Sequence, residues 1–293
     1  PQETIAFVKR VMSSQPSSLS APAALVRQHD PDRFRFALFA PVRHREAVFT
    51  LYAFNHEVAK TRESVSETMI GAIRLQWWRD SIEGIYAGTP RQHEVIGPLA
   101  ACIAAYRLPR APFDDLINAR ERDLEDRPME SLAETEAYLR ATTFPLVALL
   151  ADVLVPDREM ELTGLADIAA GHALIGKLRA AAFDESVRRP FLPRTVLEEH
   201  GGESRDFAEL KADEGARRAV KALAQHAQNL IERGLTHTGK NPALAPVLLP
   251  ARQARARIRL LARLDYDPFR PELADHDPLD VWRFWLARLI RRY

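Results

Sequence analysis

The sequence contains a single cysteine, Cys102, among its 293 residues. One thiol excludes an intrachain disulfide and any zinc site built on paired cysteines. Cys102 lies in the apolar run of residues 99–105, so we expect it to pack as a small buried hydrophobic side chain. The histidines show no close metal-ligand spacing, and we assign no zinc site. This cysteine content fits a reducing compartment.

The chain also lacks an excess of charge of either sign. Its 41 Lys and Arg residues nearly cancel its 40 Asp and Glu residues, which leaves a net charge of +1. Proteins that bind nucleic acid usually carry a clear basic excess. We therefore expect no nucleic-acid partner.

Long hydrophobic runs are absent as well. A membrane-spanning helix needs about 20 predominantly apolar residues. The longest candidate, residues 144–155, is shorter and contains Pro145 and Asp152. The first 20 residues show no hydrophobic core of a signal peptide. The sequence therefore predicts a soluble protein that touches a membrane from one side at most.

Helical periodicity fills most of the sequence that remains. Apolar residues recurring at three and four positions predict helices at about 46–65, 70–86, 92–106, 112–126, 131–153, 158–183, 206–234, 251–264 and 277–293. Residues 1–22 are predicted to be a flexible lead-in, because residues 13–22 are rich in Ser and Pro. No linker divides the chain, so we predict one all-α domain over residues 1–293.

The predicted C-terminal helix, residues 277–293, is amphipathic. The apolar half of its helical wheel holds Val281, Trp282, Trp285, Leu286, Leu289 and Ile290, while Arg283 and Arg291 lie opposite and Arg288 and Arg292 at one edge. Such a helix either rests on an anionic membrane or a partner protein, or closes the bundle as its last helix. The first alternative predicts peripheral membrane contact through this segment.

Two segments contain the residues that point to a chemistry. Residues 51–63 have the sequence LYAFNHEVAKTRE, and residues 178–193 have the sequence LRAAAFDESVRRPFLP. They resemble the squalene/phytoene synthase family, which has Tyr-Ala-Phe-Cys-Arg before Asp-Asp-x-x-Asp and, later, Leu-Arg-Asp-x-x-Glu-Asp before Leu-Pro. Trp78-Arg79 and residues 114–117 match the family as well. The resemblance implies an all-α, isoprenoid-synthase-type helical bundle around a central cavity, where carboxylates on two helices bind Mg²⁺ and a prenyl diphosphate ionises.

Most of these carboxylates are missing from the present sequence. The three acidic positions of the first motif fall on Ala59, Lys60 and Glu63, and those of the second fall on Ala180, Phe183 and Asp184. Lys60 puts a cation where a metal ion would bind, and two like charges about 4 Å apart repel by about 4 kcal/mol at an effective dielectric constant of about 20. We therefore expect no bound metal or other cofactor, and no assigned catalytic residue beyond the residual acids Glu63 and Asp184.

The chain resembles one non-enzymatic branch of this family more specifically, the branch typified by complex I assembly factor 6. That branch has Ala-Phe-Asn-x-Glu without the Asp pair, and residues 53–57 match it. Residues 64–67, 178–180 and 265–271 match it too. The resemblance implies a bacterial relative that acts in respiratory complex I assembly, with complex I subunits or assembly intermediates as partners. It implies a location in the cytoplasm or on the inner face of the inner membrane, which is the matrix side in organellar relatives.

The former metal site is predicted to be a basic ligand pocket. Its candidate positions are Asn55, Ala59, Lys60, Arg62, Lys177, Arg179, Ala180, Arg188 and Arg189. Arginine binds phosphate oxygens in pairs, so the pocket would hold a prenyl or lipid phosphate. In the alternative, several of these cations point to solvent or pair with Glu57, Glu63, Asp184 and Glu185. Phe54, Trp77 and Trp78 would line a tunnel for a polyprenyl chain or belong to the core.

Two other functions remain open from the sequence alone. One is a divergent prenyl transferase that condenses prenyl diphosphates and requires Mg²⁺, which would depend on Glu63 and Asp184. The other is a non-catalytic isoprenoid-binding protein, which would bind its ligand without turnover.

Overall fold

The computed structural model describes residues 19–61, 68–125, 127–156, 162–186, 192–238, 241–274 and 280–290. Within these ranges the chain forms helices and no strand, so the predicted all-α fold is confirmed. In chain order the α-helices are α1 (Ala21–His29), α2 (Pro31–Leu38), α3 (Val42–Ala59), α4 (Thr68–Tyr86), α5 (Ile96–Tyr106), α6 (Ala111–Ala119), α7 (Leu132–Leu154), α8 (Thr163–Ser186), α9 (Arg194–Glu199), α10 (Ser204–Ala208), α11 (Glu214–His237), α12 (Ala245–Arg263) and α13 (Asp280–Ile290). Short 3₁₀ helices span Arg120–Leu124, Pro242–Leu244 and Pro271–Leu273.

Several helices begin at a side chain that caps the free backbone N–H groups of the first turn. The Asp30 carboxylate accepts a hydrogen bond of 2.9 Å from the backbone N of Arg33 at the start of α2. Ser131 caps α7 in the same way, and Asp213 caps α11. Each such cap is worth about 1 kcal/mol of helix stability, so these polar residues fix where the helices start.

Helix α8 lies at the centre of the bundle and packs against α7, α11 and α12. Its apolar side chains Leu165, Ile168, Leu174 and Leu178 are almost completely buried. They join one continuous apolar core that reaches from α1 to α13. This packing sets α7, α8 and α12 around a common space, which is where the candidate site lies.

The structure corrects several predicted boundaries. The helix predicted at 206–234 is divided into α10 and α11. Helix α1 begins at Ala21, inside the predicted flexible lead-in, and residues 1–18 lie outside the described ranges. Helix α3 ends at Ala59 and not near residue 65. Helix α12 begins at Ala245, six residues before the predicted start, because Pro246 occupies the first helical turn, where proline is well tolerated.

Helix α7 is longer than the apolar run seen in the sequence. It continues through Pro145 from Leu132 to Leu154, because a row of buried side chains from Thr135 to Leu154 outweighs the roughly 3 kcal/mol cost of an internal proline. By length and composition this helix could cross a membrane, but 61% of its most apolar window is buried inside the fold. That burial is the pattern expected for the central helix of a bundle.

Phe54, Trp77 and Trp78 belong to the core and do not line the central cavity. The Phe54 ring meets the rings of Trp78 and Phe113 edge to face, at 5.5 and 5.4 Å between centroids. Such pairs stabilise a core beyond their buried area. The core alternative for these aromatic residues is therefore correct. Cys102 is buried as predicted, and burial raises the pKa of its thiol to about 12.

Candidate functional site

A cavity of about 310 Å³ lies between helices α2, α3, α7, α8 and α12. Its walls are apolar along α7, where Leu139, Leu146 and Leu150 face it, and polar near α2 and α8. A concave, mostly apolar space with a few polar groups at one end is typical of a small-molecule site. The polar groups are therefore the part of the cavity that decides which ligand fits.

Asp32 joins two helices at the polar end of this cavity. Its Oδ2 accepts a hydrogen bond of 2.9 Å from Nη1 of Arg179 on α8, and its Oδ1 accepts one of 3.0 Å from Nη1 of Arg35. Asp32 is buried, so its charge needs such partners. The Arg179 guanidinium, a predicted phosphate ligand, is thus already bound by a carboxylate.

Two further arginines of the lining are also paired. The Arg33 guanidinium lies 3.6 Å from the carboxylate of Asp30 and 5.6 Å from the centre of the Tyr52 ring. Arg120 donates to Asp123 at 3.2 Å and to the hydroxyl of Tyr138 at 3.3 Å. Tyr138 itself donates a short hydrogen bond to Asp123, and its burial raises the pKa of the phenol. These contacts hold the rings of Tyr52 and Tyr138 in the wall of the cavity.

His172 and Gln253 form a neutral polar pair on opposite walls. Nε2 of His172 lies 3.0 Å from Oε1 of Gln253. Burial lowers the pKa of His172, while the hydrogen bond with Gln253 partly opposes this effect, so the imidazole is neutral at neutral pH. Nε2 of Gln253 is buried and has no hydrogen-bond partner among the described residues. The pair therefore presents an unused polar atom where both residues line the cavity.

At the first motif, a cation occupies one former acidic position. Lys60 donates a short hydrogen bond to Oε1 of Glu57, and Nη2 of Arg74 lies 3.3 Å from Oε2 of the same carboxylate. Glu57 is buried, as is Asn55, whose Nδ2 lacks a partner within the described ranges. The Glu57 carboxylate is thus paired with two cations, and the Ala59 side chain supplies no ligand atom.

At the second motif, one retained acid is engaged in the same manner. Nζ of Lys177 lies 2.7 Å from Oδ2 of Asp184, two turns further along α8. Ala180 has no ligand atom, and the Phe183 ring is 58% exposed. Within the part of the chain that the structure describes, no three His, Cys, Asp or Glu side chains are grouped so that they could hold a metal ion. The donor atoms that are described do not fit a magnesium cluster.

Of the nine predicted binding positions, two line the cavity: Lys177 and Arg179. Asn55, Ala59, Lys60 and Ala180 are described but do not line it. Arg62, Arg188 and Arg189 lie outside the described residues, as does the residual acid Glu63. The predicted pairing of the basic residues with carboxylates is found for Lys60 with Glu57 and for Lys177 with Asp184.

Sequence reasoning missed Asp32, His172 and Gln253 as parts of this site. His172 could have been found, because it lies seven residues before Arg179 on the same helix and therefore on the same face. Asp32 and Gln253 come from helices far away in the sequence, 147 residues from Arg179 and 81 from His172. Neither carries a local signal that a single sequence would reveal.

Comparison with known proteins gives a family match over most of the chain. The sequence profile described as squalene/phytoene synthase matches residues 26–284. The NADH dehydrogenase (ubiquinone) complex I assembly factor 6 of Rattus norvegicus is 29% identical over 279 residues, which cover 92% of this chain and 81% of that protein. The phytoene synthase of Rhodobacter capsulatus is 26% identical over 200 residues, which cover 67% of this chain and 58% of that enzyme.

A solved structure confirms the type of bundle. The squalene synthase HpnC of Alicyclobacillus acidocaldarius superimposes with a TM-score of 0.73 at 22% identity, covering 84% of this chain and 94% of that one. At this identity the likeness concerns the fold alone. The predicted isoprenoid-synthase-type bundle around a central cavity is therefore correct.

Proposed function

Because this chain belongs to the squalene/phytoene synthase family and yet has lost most of the acidic positions of both motifs, we propose that it acts without catalysis in the assembly of respiratory complex I. The proposal rests on two ion pairs, one at each motif: Lys60 with Glu57, and Lys177 with Asp184. Each places a lysine ammonium on a carboxylate in the region where the enzymes of this family need Mg²⁺. A metal ion would have to displace these cations before it could bind.

The proposed role in complex I assembly is supported by similarity over most of both chains. Assembly factor 6 proteins of several animals match this chain at 28–29% identity, and about four fifths of their length is covered. The similarity to the phytoene synthase covers a smaller share of both chains. In this proposal the bundle works through contacts with complex I subunits or assembly intermediates, and binds no metal cofactor.

The exposed face of α13 supports a peripheral membrane location. Trp282, Trp285 and Leu289 are 70%, 55% and 64% exposed, whereas Phe284 and Ala287 are buried. The helix thus closes the bundle through a narrow face and leaves its tryptophans outside. Arg252, Arg259 and Arg263 border the adjoining groove between α12 and α13. In this proposal the protein rests on the inner face of a bacterial inner membrane through these aromatic and basic groups.

A specific observation keeps one enzymatic alternative in view. Asp184 retains an acidic group at the second motif, and a phytoene synthase and a presqualene diphosphate synthase are among the relatives at 25–26% identity. A divergent prenyl transferase would use this acid together with Mg²⁺. An isoprenoid-binding protein without activity would instead use only the cavity.

One assay distinguishes the proposed non-catalytic role from a prenyl transferase activity. The purified protein is incubated with farnesyl diphosphate or geranylgeranyl diphosphate, with and without Mg²⁺, and diphosphate release is measured. We expect release at the rate of the protein-free control. Metal-dependent release that Asp184→Asn abolishes would contradict the proposal and favour the prenyl transferase.

A second assay tests the role in assembly. Human or mouse cells lacking assembly factor 6 receive this chain behind a mitochondrial targeting sequence, and assembled complex I is measured on native gels. We expect partial recovery of complex I, and equal recovery with the Asp184→Asn variant. No recovery from a folded, correctly imported protein would contradict the proposed role.

A further inference from the structure

The polar end of the central cavity holds a buried amide with an unused hydrogen-bonding atom. Gln253 is 4% exposed and lines the cavity. Its Oε1 meets His172, and its Nε2 has no partner within the described ranges. An unsatisfied buried donor is destabilising, and a ligand with an oxygen acceptor would satisfy it. If the side-chain amide of Gln253 is rotated by half a turn, Oε1 takes the place of Nε2 as the atom without a partner. A hydroxyl group satisfies either orientation of the amide, because it both donates and accepts hydrogen bonds.

The cations around the cavity are already engaged by protein groups. Each described cation of the lining already has a partner: Arg33 pairs with Asp30, Arg120 with Asp123, Lys177 with Asp184 and Arg179 with Asp32, and Arg257 donates to the carbonyl oxygen of Leu273. His172 is held neutral by burial. These pairs are partly exposed. A diphosphate would therefore have to compete with the protein partners for these cations, whereas a neutral head group would leave the pairs intact.

The rest of the lining suits an apolar chain. Leu139, Leu146, Val147, Leu150, Ile175 and Val247 face the cavity. Its volume of about 310 Å³ falls at the lower end of the range of about 300–1,000 Å³ common for small-molecule sites. We infer that the cavity binds a neutral amphiphile, an apolar chain with a hydroxyl or carbonyl oxygen that hydrogen-bonds to Gln253. This inference rests on the proposed absence of metal-dependent chemistry, because a synthase would bind a charged substrate here.

Three probes with the same chain length isolate the contribution of the head group. Farnesol carries a neutral hydroxyl, farnesyl diphosphate carries a charged group, and farnesene carries neither. Binding to the purified full chain is measured by equilibrium dialysis, with and without Mg²⁺. We expect farnesol to bind with one site per chain and at least tenfold more tightly than farnesyl diphosphate, with no effect of Mg²⁺.

Two variants test where the probe binds. Gln253→Leu keeps the volume and removes the amide, so we expect farnesol to bind about 3- to 10-fold more weakly while farnesene binds as before. At Gly176, which lines the cavity, an added Cβ would meet nothing within 4 Å. Gly176→Phe should therefore fill the cavity and abolish binding of farnesol. The control is Gly97→Phe, at an exposed position of α5 that does not line the cavity, and it should bind farnesol like the wild type. Circular dichroism and thermal melting confirm that each variant is folded.

Each outcome decides between the inference and its rivals. Tighter, Mg²⁺-dependent binding of farnesyl diphosphate overturns both the inference and the proposed loss of catalysis. Absence of farnesol binding, or equal binding by the wild type and Gln253→Leu, overturns the inference alone and leaves recovery of complex I as the test of the assembly role. Farnesol binding without any recovery of complex I supports the inference and overturns only that role.

Discussion

Lys177 and Asp184 form an ion pair of 2.7 Å within a single helix, across two turns of α8. The lysine ammonium therefore pairs with the carboxylate that a metal ion would otherwise bind. Because Asp184 is nearly buried, removing the lysine from it would cost more than breaking an exposed pair. We therefore predict that the protein binds no metal ion at this carboxylate, which can be measured directly.

We expect Mg²⁺ to leave the melting temperature of the protein unchanged. A site with a Kd of about 0.1 mM would stabilise the fold by about 2.7 kcal/mol at about 10 mM Mg²⁺. In a chain of this length such a gain raises the Tm by about 4 °C. Differential scanning fluorimetry with MgCl₂, and with EDTA as the control, detects this shift. A rise of that size that disappears in Asp184→Asn would show that the retained acid still binds metal.

The contact between α8 and α11 predicts that one glycine is indispensable and another is not. A Cβ added to Gly234 would lie 2.4 Å from the carbonyl oxygen of Gly164, so one helix would have to move. We expect Gly234→Ala to lower the free energy of unfolding by about 1–3 kcal/mol, despite the better helix propensity of alanine.

Gly176→Ala in α8 is the matched control for this change. Its Cβ meets nothing within 4 Å, so the same substitution should raise the free energy of unfolding by about 0.5–1 kcal/mol. Urea unfolding followed by circular dichroism measures both variants. Equal changes in the two would mean that close packing between α8 and α11 does not limit stability.

The long helices could be predicted from the sequence because clear stop signals of Gly and Pro residues end them. Helix α4 was expected at 70–86 and spans Thr68–Tyr86, since a Gly-Thr-Pro stretch stops it. Helices α1 and α2 were not predicted, and the start of α1 falls in the stretch that was expected to be a flexible lead-in. Pro22 and Pro31 both lie in a first helical turn, where proline needs no N–H partner. The extent of the single domain, residues 1–293, stays a prediction.

Only the part of the candidate site that lies on a single helix could be predicted from the sequence. Lys177 and Arg179 were found because they lie beside a recognisable motif. Their partners were not all found, since Asp32 reaches Arg179 from α2 and only the tertiary fold brings the two together. The face of α13 was predicted as one apolar half, yet the structure buries Phe284 and Ala287 and leaves Trp282 exposed, because the adjoining helices determine which narrow strip is covered.

A buried carboxylate holds three helices together and predicts a pH dependence. Oδ1 of Asp167 on α8 lies 2.5 Å from Nη2 of Arg140 on α7, and its Oδ2 lies 2.5 Å from Nε of Arg233 on α11. Burial alone would raise the pKa of Asp167, but the hydrogen bonds from the two arginines outweigh it and lower the pKa. The stabilisation is therefore present above the unfolded-state pKa of about 3.9 and is lost as the pH falls through the lower folded-state pKa.

We expect Asp167→Asn to lower the free energy of unfolding at pH 7 by about 3 kcal/mol, a low value for a buried pair because Arg233 is half exposed. The difference from the wild type should stay constant above about pH 5 and narrow below about pH 4. Urea unfolding at several pH values measures it. Asp115→Asn, at an exposed position of α6, is the control and should behave like the wild type. A difference that does not narrow in acid would contradict the proposed role of the ionised carboxylate.

The exposed face of α13 predicts binding to anionic membranes. Trp282 and Trp285 stand out from the fold, and arginines of α12 border the groove beside them. We expect the protein to co-sediment with vesicles that contain phosphatidylglycerol and to bind those of phosphatidylcholine alone much more weakly. Binding should also weaken as salt rises, because the arginine contribution is screened.

The double substitution of Trp282 and Trp285 by serine should reduce binding to anionic vesicles by about tenfold or more, since burying each indole in the membrane interface contributes about 1 kcal/mol or more. The melting temperature should not change, because neither side chain is buried in the fold. The matched control is the double substitution of Met69 and Ile73 by serine, which removes two equally exposed apolar side chains from α4 and should leave vesicle binding intact. Equal binding by the tryptophan variant and the wild type would mean that α13 is not the membrane-facing surface.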